Sequence, residues 1–165
     1  MEIIIRPATH VDLPAILEIV NHAILNTTAI YDYDTRTLEQ QQAWFEEKQT
    51  SGFPILAAEN NNEVIGFGTF GGFRVKVGYR FTVEHSVYVA DKAIGKGIGK
   101  LILQKLIDLA KEQNYHIMIG VIDASNSGSI EFHKKFGFKE TGVLKEVGYK
   151  FDKWLDVSLM QLILK

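Results

Sequence analysis

Gly95-Lys96-Gly97-Ile98-Gly99-Lys100 follows a run of strand character, residues 79–89, and opens a stripe of apolar residues at helical spacing: Ile98, Leu101, Ile102, Leu106, Leu109 and Ala110. Between a strand and a helix, a glycine-rich turn leaves the first backbone N–H groups of the helix without intrahelical partners, and the helix dipole adds positive character at the same end. Such a turn is a seat for a phosphate or pyrophosphate, and its glycines let the backbone approach the anion closely. Two familiar phosphate turns fail on spacing. A P-loop needs Gly-Lys followed by Ser or Thr, whereas Lys96 precedes Gly97 and Lys100 precedes Leu101. A dinucleotide fingerprint that begins at Gly95 and Gly97 needs its third glycine where Lys100 stands.

Before this turn, residues 54–59, 64–70 and 79–89 are rich in β-branched and aromatic side chains and are separated by Asn- or Gly-containing turns, which predicts an antiparallel meander at the centre of a sheet. Further back, Ile3 to Arg6 forms a first strand stopped by Pro7. Thr9 with Asp12, and Thr37 with Gln40, mark the starts of two helices, the first carried by Leu13, Ile16, Leu17, Val20 and Ile24 and the second ended by Gly52. After the turn's own helix, 116–122 is short and nearly all apolar, the pattern of a strand buried on both faces. Residues 126–136 predict a short helix closed by Gly137, and 138–146 with 153–164 complete the strands. The resulting order, β-α-α-β-β-β-α-β-α-β-β, is an α+β, mixed α/β arrangement and not a doubly wound one: a central, mostly antiparallel sheet of about six or seven strands flanked by about four helices.

The length of 165 residues, with 46% hydrophobic and 23% charged, suits one domain spanning 1–165. A net charge of −2 lacks the basic excess of a nucleic-acid-binding protein, and the absence of cysteine removes disulfides, thiolate metal sites and any cysteine-bound acyl intermediate. No apolar run approaches the ~20 residues of a spanning helix, and Met1 to Arg6 is too short for a signal peptide. The expectation is a cytoplasmic protein with no nucleic-acid or membrane partner. His10, His22 and His116 show no ligand spacing, so no metal is expected.

The turn, with Gly97 and Gly99 in register, resembles the pyrophosphate-binding turn of GNAT acetyltransferases, although Ile94 stands where that pattern opens on Gln or Arg. A second element, Asn126-Ser127-Gly128-Ser129-Ile130-Glu131-Phe132-His133-Lys134-Lys135-Phe136-Gly137-Phe138, is similar to the Asn-led helix of the same superfamily, which ends in Gly-Phe. Three further stretches, Thr82 to Val89, Thr27 to Tyr31 and Gly148 to Asp156, resemble the phosphinothricin and methionine sulfoximine N-acetyltransferases, so that the likeness covers essentially the whole chain.

The resemblance implies a GNAT-like fold with acetyl-CoA as co-substrate and no metal. Acetyl-CoA would lie along Val87, Tyr88 and Val89, on the turn Gly95, Lys96, Gly97, Ile98, Gly99 and Lys100, and against Asn126 and Ser129. Glu84 is implied as the group that accepts the proton of an amine arriving as ammonium. For His133 two readings stay open: an acid that protonates the departing thiolate, suited by an ordinary pKa of about 6.5, or a helix histidine satisfied by a backbone carbonyl. Tyr31, Phe73, Arg74, Val75, Lys76, Glu84, His85 and Ser86 are implied near the substrate. Arg74 would hold its carboxylate or tetrahedral oxygens, whereas His85 alternates to the other face of its strand and reads as structural.

Together these imply direct acetyl transfer in a ternary complex to the α-amino group of phosphinothricin, methionine sulfoximine or methionine sulfone, by an enzyme expected to be a homodimer. An acetyltransferase for protein N-termini or antibiotics, and a non-catalytic acyl-CoA-binding domain, are the two rival readings.

Overall fold

The computed structural model describes residues 2–165. Seven strands form one sheet: β1 (Ile4–Pro7), β2 (Ile55–Asn60), β3 (Glu63–Gly72), β4 (Thr82–Val89), β5 (Ile117–Asp123), β6 (Lys139–Lys150) and β7 (Lys153–Ile163), in the spatial order β1-β2-β3-β4-β5-β7-β6. Helices α1 (Leu13–Asn26) and α2 (Leu38–Thr50) separate β1 from β2, α3 (Ile98–Glu112) crosses from β4 to β5, and α4 (Ser127–Lys134) lies between β5 and β6. Every pairing is antiparallel except β4 with β5, which the α3 crossover makes parallel.

The sheet has two apolar faces, each with its own helices. Phe67, Ala57 and Ile55 pack with Leu13, Ile16, Val20 and Ile24 of α1 and Phe45 of α2. Phe70, Val83 and Met118 pack on the opposite face with Ile102, Leu103 and Leu106 of α3. Strand alternation thus assigns Glu84, Ser86 and Tyr88 to the α1/α2 face, and Val83, His85, Val87 and Val89 to the α3/α4 face. Among the described residues, no helix is long and apolar enough to cross a membrane.

Two local expectations are corrected. The strand predicted from Tyr79 begins at Thr82, because Val77–Tyr79 is a tight helical turn whose neighbouring N–H groups, from Tyr79 and Arg80, bond back to Lys76 O and Val77 O and not to a strand. Nor is the strand predicted at 116–122 covered on both faces. Its pairing with β4 stops at Glu84↔Ile119, and beyond that point the two strands diverge, leaving Val121 46% exposed.

Candidate active site

The divergence of β4 from β5 opens a cleft of about 1130 Å³ through the middle of the sheet. Past Glu84, one edge of β4 has no strand partner, so its remaining backbone groups are available to an extended ligand. Val87, Tyr88 and Val89 form that wall, Gly120 and Val121 of β5 the other, and the N-terminus of α3 closes one end.

At that end Gly97 is the N-cap of α3 with φ +78°, a left-handed conformation that glycine adopts without a Cβ penalty, and Gly95 is similar at φ +81°. Gly95, Gly97, Ile98, Gly99 and Lys100 line the cleft, and a Cβ on Gly99 would project toward Phe132, Val89 and Val87 at 3.8–3.9 Å. The first turn of α3 therefore presents bare backbone to the cleft. Lys96 belongs to the turn without lining the cleft. Across the opening, Asn126 caps α4 by accepting the Ser129 N–H at 3.0 Å, and both residues line the cleft.

His133 lies on α4 with Nδ1 2.7 Å from the carbonyl of Ser129, which makes Nδ1 the protonated nitrogen. Its Nε2 lies 3.1 Å from Nε2 of His85, so the neutral pair is ordered with His85 Nε2–H donating and His133 Nε2 accepting. Nδ1 of His85 is then unprotonated, and it is buried without a partner. Burial pushes the His85 pKa down to about 3, helped by the charge of His133, and burial likewise lowers His133. Gly120 leaves room for the pair, since a Cβ there would stand 3.2 Å from His85 Nε2. His133 thus bonds a backbone carbonyl while still lining the cleft, and His85, which lines it too, packs against His133 and Phe138 on the α3/α4 face.

Glu84 reaches solvent in the cleft wall. Partial desolvation there raises its carboxyl above the usual range, and the Lys48 ammonium opposes that rise. Ser86 and Tyr31 also line the cleft. Tyr31 is held by contacts that sequence patterns did not reveal. Lys150, only 3% exposed, donates from Nζ to Thr27 O at 2.7 Å and Ile30 O at 2.5 Å, the Thr28 hydroxyl donates to the Asp123 carboxylate, and Gly148 leaves space for the tyrosine ring. Nothing in the local sequence around Lys150 signals this role, because both carbonyls are more than a hundred residues away.

Phe73, Arg74, Val75 and Lys76 do not line the cleft. β3 ends at Gly72, and the Phe73 N–H bonds back to Thr82 O, so the intervening residues form a projecting loop. There the Arg74 guanidinium lies 5.4 Å from the Phe73 ring centre and Val75 is fully exposed.

The acetyltransferase (GNAT) domain model matches residues 5–159. Over 159 residues, 96% of this chain and 92% of the relative, the chain is 45% identical to an L-methionine sulfoximine/L-methionine sulfone acetyltransferase of Pseudomonas aeruginosa. An N-acetyltransferase structure from Staphylococcus aureus Mu50 superposes with a TM-score of 0.99 at 50% identity, covering both chains fully. A GNAT superfamily phosphinothricin acetyltransferase from Sinorhizobium meliloti, solved in complex with acetyl-CoA, matches with a TM-score of 0.95 at 34% identity over 99% of this chain and 89% of that one. The chain therefore belongs to the GNAT acetyltransferase family, and it is an N-acetyltransferase.

Proposed function

We propose that the protein transfers the acetyl group of acetyl-CoA directly to the α-amino group of small amino acid analogues, of the class of phosphinothricin, methionine sulfoximine and methionine sulfone. One observation carries this reading: the cleft runs from the glycine-bounded N-terminus of α3, fit for a pyrophosphate, past the unpaired edge of β4, fit for amide groups, to Glu84 on the opposite face of the sheet. Acetyl-CoA brings an activated thioester; the chain has to seat it, admit the amine from the α1/α2 side and remove a proton. Backbone N–H groups at the α3 N-terminus hold the pyrophosphate, with Lys96 and Lys100 adding charge. The free edge of β4 at Val87 to Val89 aligns the pantetheine arm and polarises the carbonyl. Glu84 accepts the proton of the ammonium, directly or through water, with Tyr31 and Ser86 walling the amine site. The exposed loop with Arg74 supplies a guanidinium for the substrate carboxylate. His133 lines the same cleft, its Nδ1–H committed to Ser129 O and its Nε2 accepting from His85.

The same reading makes the enzyme a cytoplasmic homodimer that needs no metal. The dimer draws its support from the apolar surface left open along the β6–β7 hairpin, where Trp154, Val147 and Phe151 are each more than half exposed.

A screen of acetyl-CoA with amino acid sulfoximines, sulfones and phosphinates, polyamines and peptide N-termini, followed by thiol release, tests the substrate class. Amino acid analogues should be turned over fastest, and Glu84→Gln should lower kcat by about 10²-fold while acetyl-CoA affinity stays intact. Faster turnover of peptides or polyamines would replace this substrate class, and near-normal turnover by Glu84→Gln would remove Glu84 from the mechanism.

A further inference from the structure

Lys48 of α2 stands outside the lining of the cleft, and its side chain is half-buried. Nζ donates to the carbonyl of Phe70 at 2.9 Å and lies 5.5 Å from the centre of the Phe53 ring. The residue after Phe70, Gly71, is the cross-strand partner of Glu84. A Cβ added to Gly71 would meet Lys48 Nζ at 2.9 Å, so the ammonium occupies the space that a side chain opposite Glu84 would otherwise fill. Directly opposed residues of an antiparallel pair have Cβ atoms about 4.5–5.5 Å apart on the same face of the sheet. The face is fixed independently: Phe67 and Tyr88, paired across β3 and β4, pack in the α1/α2 core, and counting by twos from each leads to Gly71 and Glu84.

We propose that Lys48 is a positioning residue for acetyl transfer: seated in the gap left by Gly71, its ammonium holds Glu84 ionised and directed into the cleft, ready to take the proton of the amine. The proposal rests on Glu84 being the base. The other groups around Glu84 do not substitute for this cation. β3 offers Gly71 and β5 offers Ile119, neither charged. On β4, Tyr88 carries a phenol that burial keeps protonated, with Arg36 and Asp32 acting on that phenol. On α2, burial lowers the pKa of Lys48 itself while the charges of Glu47 and Glu84 oppose that fall, and His85 faces the other side of the sheet. Desolvation in the cleft wall works against an ionised Glu84, and Lys48 is the charge that partly offsets it.

The test is the pH profile of kcat/KM at saturating acetyl-CoA for Lys48→Met, Lys48→Arg and Gly71→Ala, each with its melting temperature and acetyl-CoA affinity measured. Without the cation the carboxyl binds its proton more tightly, so Lys48→Met should lose roughly tenfold at the acid end of the profile and approach the wild type on the alkaline side. Lys48→Arg should keep most of the acid-side activity, and Gly71→Ala, which pushes the ammonium aside, should reproduce part of the loss. In a Glu84→Gln background, Lys48→Met should add nothing. A loss of equal size at every pH, or an acid limb unmoved in folded Lys48→Met, would overturn the proposal. If Glu84→Gln is inactive while Lys48→Met leaves the limb in place, only the role of Lys48 falls; if Glu84→Gln is active, the base assignment falls with it.

Discussion

His85 shows how a single buried side chain can carry both a structural task and a pH dependence. Its Nε2–H orders His133 and its Nδ1 has no partner, so a second proton on the ring would be a buried charge beside another histidine. With a folded pKa of about 3 against an ordinary 6.5, the unfolded chain binds the proton first as pH falls. Stability from this group is fully present above pH 6.5 and drains away between 6.5 and 3, at up to about 1.4 kcal/mol per pH unit. Urea unfolding at pH 7 and pH 5 should therefore show a larger drop for the wild type than for His85→Phe. A residual slope should persist in the variant, because burial depresses His133 in the same sense.

At the scale of elements, the position of α3 decides whether the glycine turn points into the cleft. The helix lies close on β3 because Gly66 and Gly68 carry no side chains. A Cβ on Gly68 would overlap Ile102 and stand 3.0 Å from Leu106, both fully buried on α3. Gly68→Ala should thus behave as an overpacking substitution, costing about 1–3 kcal/mol and lowering the melting temperature by several degrees. It should also weaken acetyl-CoA binding, since lifting α3 moves its N-terminus relative to β4. Thermal unfolding with and without acetyl-CoA measures both effects, and unchanged values would mean that the helix relaxes at no cost. The interactions that fix α3 were legible only in part: its apolar stripe is written in the chain, whereas the reason for two glycines inside an apolar strand appears once the helix lies over them.

Over the whole molecule, the exposed apolar residues of the β6–β7 hairpin lead to the expectation of a dimer at micromolar concentration in sedimentation, and a charged residue at Trp154 should shift it toward monomer without unfolding it. A wild-type monomer under those conditions would remove that surface as an interface. Much of this molecule was determined by sequence alone. The order of eleven elements follows from periodicity and caps, because those signals are local: Thr37 and Gln40 close on one another across three residues, and the stripe of α3 needs only its own helix. The glycine turn was readable for the same reason. Tertiary structure alone decided what lies between distant segments: that β4 parts from β5 after Glu84, that His85 bonds to His133, that Lys150 pins the strand-free stretch before Tyr31, that Arg74 projects from a loop, and that Lys48 fills the place opposite Glu84. Each of these depends on register and on the packing of helices against a sheet, where residues tens of positions apart meet, and no periodicity along the chain encodes which of them will.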